Sequence, residues 1–258
     1  MQLADILAVL AAGLGAGLVI SAIGAGSLVS FPILLGVGLT PLVANVCNTV
    51  GLVPGGLSGS WGYRRELAGK GELVRTVAAA SALGALAGAF LLLVLPAGVF
   101  ERVVPALVIV AATLVGVQPV VSSWSRRRTA RSDPGPCAED RAPQGVRGFS
   151  AAIGVYGGYF GAGQGVMLVA ILAFRLQERL QVVNGLKNVA VLSANLAASV
   201  VFVLAAPLDW TVVGLVGLGS AAGGWVGAHI GRRLPPTVFR VLVVCSGYAV
   251  GLRLLAAS

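Results

Sequence analysis

The chain has 258 residues, 57% of them hydrophobic and only 10% charged, with a formal net charge of +9. A soluble domain carries about 25% charged residues, so this composition excludes a water-soluble globular fold and makes the lipid bilayer the solvent of a polytopic all-α protein. The positive excess does not call for a nucleic-acid partner, because it sits in loops between apolar spans, the distribution that marks the cytoplasmic face of a membrane protein.

In chain order, residues 3–22 are apolar, Gly24-Ala25-Gly26 interrupts them, and residues 27–38 form a shorter apolar run. Thr40-Pro41 has the form of a helix start, with Thr at the N-cap and Pro at the first helical position, and predicts one helix to about residue 60. Trp61 and Tyr63 suit a membrane interface. Helices are expected at about 74–95 and 103–121, followed by a charged loop rich in Ser, Pro and Arg over 122–147. The plan then repeats: an apolar run over 148–160, Gly161-Ala162-Gly163, a second run over 164–174, a polar turn from Arg175 to Arg179, and helices at about 181–206, 210–231 and 237–256. The division is therefore a first membrane repeat (1–121), a cytoplasmic linker loop (122–147) and a second membrane repeat (148–258). Cys47, Cys137 and Cys245 are odd in number and widely spaced, which indicates neither a disulfide framework nor a metal site. The start Met1-Gln2-Leu3-Ala4-Asp5 has no basic n-region, so no cleaved signal peptide is expected.

Charge constrains topology. The basic loops are 62–73 (Arg64, Arg65, Lys70), 122–147 (Arg126, Arg127, Arg128, Arg131, Arg141, Arg147), 175–179 and the segment with Arg232, Arg233 and Arg240. Placing them all in the cytoplasm makes residues 148–174 enter and return on one side. Arms of 11–13 residues reach only about 16–20 Å, short of a hydrocarbon core of about 30 Å, so a re-entrant hairpin is expected there. Each half becomes a glycine-broken hairpin plus three spans, and the odd number of spans inverts the second half relative to the first, as in many transporters; the rival, each broken segment as one kinked span, gives parallel repeats and moves the 175–179 loop outside, against its charge.

The expected site lies where the breaks meet polar helix faces. Gly24, Gly26, Gly161 and Gly163 allow sharp turns and close approach, and the helix starts behind them, with Ser27 and Gln164 as side-chain donors, point positive dipole ends toward the midplane. The plainer reading of the glycines is tight helix packing, which is the reading taken for Gly84, Gly88, Gly219, Gly223, Gly227 and Gly231. Asn45, Asn48 and Thr49 share one helix face, as do Asn184, Lys187 and Asn188, with Asn195 continuing that stripe. Lys187 is the one Lys or Arg well inside an expected span, without an acidic residue on its own helix; it either attracts an anion or snorkels to the interface. His229, near a helix end, is read as interfacial. No carboxylate pair, metal-ligand spacing, nucleophile motif or dinucleotide fingerprint is present, so no enzyme, metal or cofactor is expected.

These residues resemble the TauE/SafE (sulfite exporter-like, TSUP) family of membrane permeases over nearly the whole chain. The resemblance rests on Gly24-Ala25-Gly26, Pro32 and Ala44 to Thr49 in the first half. In the second half it rests on Asn184, Leu186, Lys187, Asn188, Asn195 and Asp209-Trp210, with Val169 where Pro32 would be matched. It implies secondary transport of small sulfur anions such as sulfite, thiosulfate or organosulfonates across a bacterial inner membrane. The residues themselves specify a small anion as partner, bound at the midplane, with an anion channel or a carrier of another small organic anion as alternatives. A homo-oligomer is compatible with this reading.

Overall fold

The computed structural model describes residues 2–129, 143–176, 178–229 and 236–257. Arg131, Arg141, Arg232, Arg233 and Cys137 lie outside them. Among the described residues all regular structure is helical: α1 (Leu3–Ala22), α2 (Ser27–Gly36), α3 (Pro41–Gly51), α4 (Val53–Gly62), α5 (Gly71–Val94), α6 (Ala97–Thr129), α7 (Gln144–Tyr159), α8 (Gln164–Arg175), α9 (Leu180–Ala205), α10 (Trp210–His229) and α11 (Pro236–Ala257). Within them five stretches are long and apolar enough to cross a membrane: Leu3–Ala22, Gly71–Val94, Gly98–Pro119, Leu180–Ala205 and Trp210–His229.

Two expectations change. The helix expected from 40 to 60 is two helices, with Leu52 between them at φ −85°, ψ −7°. Pro54 is the physical reason, since it has no N–H to donate and its ring crowds the carbonyl of the preceding turn. The linker expected over 122–147 is helical at both ends, because α6 runs on to Thr129 and α7 starts at Gln144. Serine and arginine are tolerable helix residues, and composition alone did not separate a helix end from a loop.

Both glycine breaks are hairpins. Gly24 has φ +87°, and Gly161 and Gly163 have φ +76° and +75°, the left-handed region where a Cβ is unfavourable. α2 folds back along α1, with Gly26 against Ala16 and Val29 against Gly15. α8 folds back along α7, with Gln164 against Gly157 at the tip and the Arg175 guanidinium against Gly145 at the base. With 16 and 12 residues, these last arms reach only about 24 and 18 Å; the 20-residue α1 reaches about 30 Å.

The most extensive helix interfaces, α1 with α10 and α5 with α7, join the two halves of the chain. Glycine makes them possible, because backbone meets backbone where a side chain would otherwise stand. Gly13 lies on Val216, Gly17 on Ser220, Gly223 on Leu14 and Gly227 on Leu18, so α1 and α10 run parallel. Gly154 lies on Ser81, Gly158 on Ala85 and Gly88 on Val155, so α5 and α7 run parallel too.

The ends of the bundle are fixed by other contacts. Lys70, just before α5, forms an ion pair with Glu178, just before α9, at 2.6 Å. Gly62 at the end of α4 packs on Ala228 at the end of α10. α5 therefore leaves the end that α10 arrives at. Hairpin α7–α8 enters from that end, which carries Arg64, Arg65, Lys70, Arg75, Arg147, Arg175 and Arg179, and hairpin α1–α2 enters from the other.

Candidate functional site

The hairpin tips touch. The backbone N–H of Gly165, in the first turn of α8, donates to the Gly24 carbonyl at 3.2 Å. A Cβ on Gly24 would meet the Gly165 backbone and the Lys187 side chain, and a Cβ on Gly165 would meet Gly24. Positions in opposite halves of the chain thus share one contact that glycine alone permits.

Lys187 projects from α9 into this junction and is fully buried. Its Nζ donates to the carbonyls of Ile20 at 3.3 Å and Ser21 at 3.2 Å. These belong to the last turn of α1, where carbonyls lack intrahelical donors and the dipole is negative. Burying an ammonium without partners is costly, and the broken helix end supplies partners where a continuous helix could not.

Helix α3 makes the corresponding contact in the other direction. Asn45 Nδ2 donates to the Tyr159 carbonyl at the end of α7, at 3.0 Å. Each polar helix therefore caps the broken helix of the opposite half, α9 with a charge and α3 with an amide. Asn48 Oδ1 accepts from Ser30 Oγ of α2, tying α3 to the returning arm of the first hairpin. Thr49 Oγ1 donates to the Asn45 carbonyl of its own helix at 2.9 Å.

Among the described residues three amides keep unused capacity, one of them Gln118, whose Nε2 donates to the Ile23 carbonyl at 3.4 Å while its Oε1 has no partner. Gln164 opens α8, is 2% exposed, and neither its Oε1 nor its Nε2 has a hydrogen-bond partner. It stands where it does because Gly157 leaves room, since a Cβ there would run into the Gln164 amide. Asn188, the neighbour of Lys187, is 5% exposed with an unpartnered Nδ2. Buried polar groups are overwhelmingly paired in folded proteins, so these atoms keep hydrogen-bonding capacity that the fold itself does not use. Gln164 and Asn188 can donate N–H groups to an oxyanion without adding charge.

The remaining expected residues fall into structural roles or at the margin. Gly26 packs on Ala16, and Gly163 lies close to Ala111 of α6. Ser27 is half-buried at the start of α2, and Asn184 is half-buried in the early turns of α9. Asn195 is buried. His229 is exposed and tilted over Trp225, 4.7 Å between ring centroids.

Sequence reading missed the second hairpin's bracing. Tyr156 Oη donates to the Ala162 carbonyl at 2.6 Å, closing the tip on itself. Phe160 lies edge-on to Phe31 at 5.4 Å and near Phe100 at 6.2 Å, and Phe100 meets Tyr159 at 5.6 Å. The run Tyr156-Gly157-Gly158-Tyr159-Phe160 before the break was the available signal, since aromatic side chains at a membrane midplane need partners for their hydroxyls.

A hollow of about 770 Å³ is lined by Val50, Pro54, Leu196, Val200, Gly217 and Leu218 among others. Its lining is almost wholly apolar, which suits lipid chains better than an anion.

Residues 9–254 match the family described as Sulfite exporter TauE/SafE. Among curated proteins the chain is similar to the "Probable membrane transporter protein ORF9" of Sinorhizobium sp, 28% identical over 243 residues, covering 93% of this chain and 88% of that protein. It is also similar to a "Probable membrane transporter protein" of Haemophilus influenzae (strain ATCC 51907 / DSM 11121 / KW20 / Rd), 25% identical over 254 residues, covering 95% and 92%. No solved structure matches the chain.

Proposed function

The chain belongs to the sulfite exporter TauE/SafE family and is a membrane transporter; on that footing we propose that it is a secondary transporter of small anions, with sulfur oxyanions or organosulfonates as cargo. The anion sits where the two hairpin tips meet, between two halves that form an inverted repeat. The contact of Gly24 with Gly165 beside the idle Gln164 amide is the observation that carries this reading. The opposite directions of entry of the two hairpins support the inverted repeat, and broken helices meeting between such halves are a recurrent transporter design.

In this reading the buried Lys187 ammonium makes the junction electropositive, while Gln164 and Asn188 supply hydrogen bonds. Asn45, Asn48, Thr49 and Asn184 shape the surrounding wall, together with Gly26, Ser27, Gly161 and Gly163. The end carrying Arg64, Arg65, Lys70, Arg147, Arg175 and Arg179 faces the cytoplasm, by the positive-inside bias. The membrane is the bacterial inner membrane. Alternating access then exposes the tips to each side in turn.

The test is anion flux in proteoliposomes, comparing sulfite, thiosulfate, sulfate, taurine and acetate. Saturable uptake of a sulfur oxyanion that is accelerated by the same anion on the far side, and that Gln164→Leu suppresses, is the expected outcome. Transport of none of these anions, or flux indifferent to Gln164, overturns the assignment. Flux that neither saturates nor exchanges would instead favour an anion channel.

A further inference from the structure

A polar hollow of about 330 Å³ lies at the basic end of the bundle. It is lined by Gly62, Arg64, Arg65, Glu66, Ala228 and His229. Its walls come from both halves of the chain, the end of α4 with the turn after it and the end of α10. They are held together by the contact of Gly62 with Ala228.

Two exposed tryptophans flank it. Trp61 is 67% and Trp225 58% exposed. Tryptophans at the ends of membrane spans settle at the headgroup level, with their rings partly among the chains. Each carries a nitrogenous group on its ring. The Arg64 guanidinium lies 4.8 Å from the Trp61 centroid and donates to the Trp61 carbonyl at 3.0 Å, and His229 packs on Trp225 with Nδ1 2.8 Å from the Trp225 carbonyl. With Nδ1–H donating to that carbonyl, Nε2 is left for another partner. The hollow therefore has two arginines against one carboxylate, Glu66, at the depth where lipid headgroups lie.

We propose that this hollow binds the phosphate headgroup of an anionic phospholipid, whose chains lie along Trp61 and Trp225 outside the bundle. Arginine matches phosphate oxygens through its planar fork of donors. The concave shape separates this site from a general attraction of basic loops to a charged surface. A lipid seated here bridges the two halves at the end where α4 and α10 meet.

The test uses the full chain with Trp124 and Trp210 replaced by Phe, reconstituted into equal mixtures of phosphatidylcholine and phosphatidylglycerol. The bromine label is placed on the chains of one lipid or the other. Each arginine near an anionic surface is worth roughly a fivefold preference. Quenching of Trp61 and Trp225 should therefore favour brominated phosphatidylglycerol severalfold, and Arg64→Gln with Arg65→Gln should remove the preference. His229→Gln, a milder change on an exposed residue, should weaken it in part. Equal quenching by the two lipids overturns the proposal, as does a preference that survives the double arginine variant. If inorganic phosphate added to vesicles abolishes the preference at millimolar concentration, the hollow is a site for free phosphate and the lipid assignment fails.

Discussion

The two hairpins do the same topological job with different chemistry. The first, α1–α2, ends in a helix terminus held by a buried charge, Lys187 on the Ile20 and Ser21 carbonyls. The second, α7–α8, ends in a terminus held by an amide, Asn45 on Tyr159, and by an aromatic cluster around Phe160. At the first tip the carbonyls of Ile20, Ser21 and Ile23 are taken by Lys187 and Gln118. The second leaves the Gln164 amide idle. Under the proposed function the difference assigns labour: Lys187 of α9, seated on the first tip, supplies field and rigidity, and the second tip supplies the hydrogen bonds that an anion uses.

The largest effect is expected where the two tips touch. Gly24→Ala puts a Cβ into the Gly165 backbone at a φ of +87°. Strain in that backbone region alone costs about 1–3 kcal/mol, and the overlap adds to it. A loss of monodisperse protein on size exclusion, or a large fall in Tm, is expected. Gly36→Ala, where a Cβ meets nothing within 4 Å, should leave both unchanged.

Lys187→Met comes next. It leaves two helix-end carbonyls without their donor, and a hydrogen bond to a charged group contributes about 1.5–3 kcal/mol. Thermal stability in lipid nanodiscs should fall accordingly, and anion flux should fall with it. Asn45→Ala removes the equivalent cap from the other hairpin at about 0.6 kcal/mol, the usual size of a membrane hydrogen bond. If the two substitutions shift Tm equally, the contrast between charge and amide is wrong.

Gln164→Leu acts on the second tip. Because the amide has no partner, replacing it with an apolar group of similar size should change stability by less than about 1 kcal/mol. Flux should nevertheless fall by at least about tenfold, the loss of roughly one strong hydrogen bond to an anion. The smallest effect belongs to Tyr156→Phe, which opens the latch to Ala162 and should lower Tm by an amount near the limit of detection, about 0.6 kcal/mol.

Much of this was legible in the sequence, for physical reasons that can be named. The glycine breaks announced themselves because an uninterrupted apolar span has no need of Gly-x-Gly, and the asparagines and Lys187 because polar groups in lipid are expensive. The return of 148–174 followed from loop charge and arm length alone. What sequence could not give was the partner of each polar group. Lys187 looked unpaired because its partners are backbone carbonyls in another helix, and backbone atoms carry no residue label. The break at Leu52 was signalled by Pro54, which the reading of one helix from Thr40-Pro41 to about residue 60 passed over. The bracing of the second tip depended on Phe31, Phe100 and Phe160 converging from three separate segments, and no periodicity records that.

The pairing of α1 with α10 has a consequence for how the protein is made. Gly13 and Gly17 open a groove on α1 that is filled by Val216 and Ser220, and Ser21 donates to the Gly224 carbonyl, 203 residues further along the chain. At about 5–20 residues per second, a nascent α1 waits some 10–40 seconds before its partner leaves the ribosome. During that interval its small-residue face must be tolerated by lipid or shielded by the insertion machinery. A chain truncated after α9 should therefore carry an orphaned first helix, recognisable to membrane quality control and degraded faster than the full-length protein in a pulse-chase experiment.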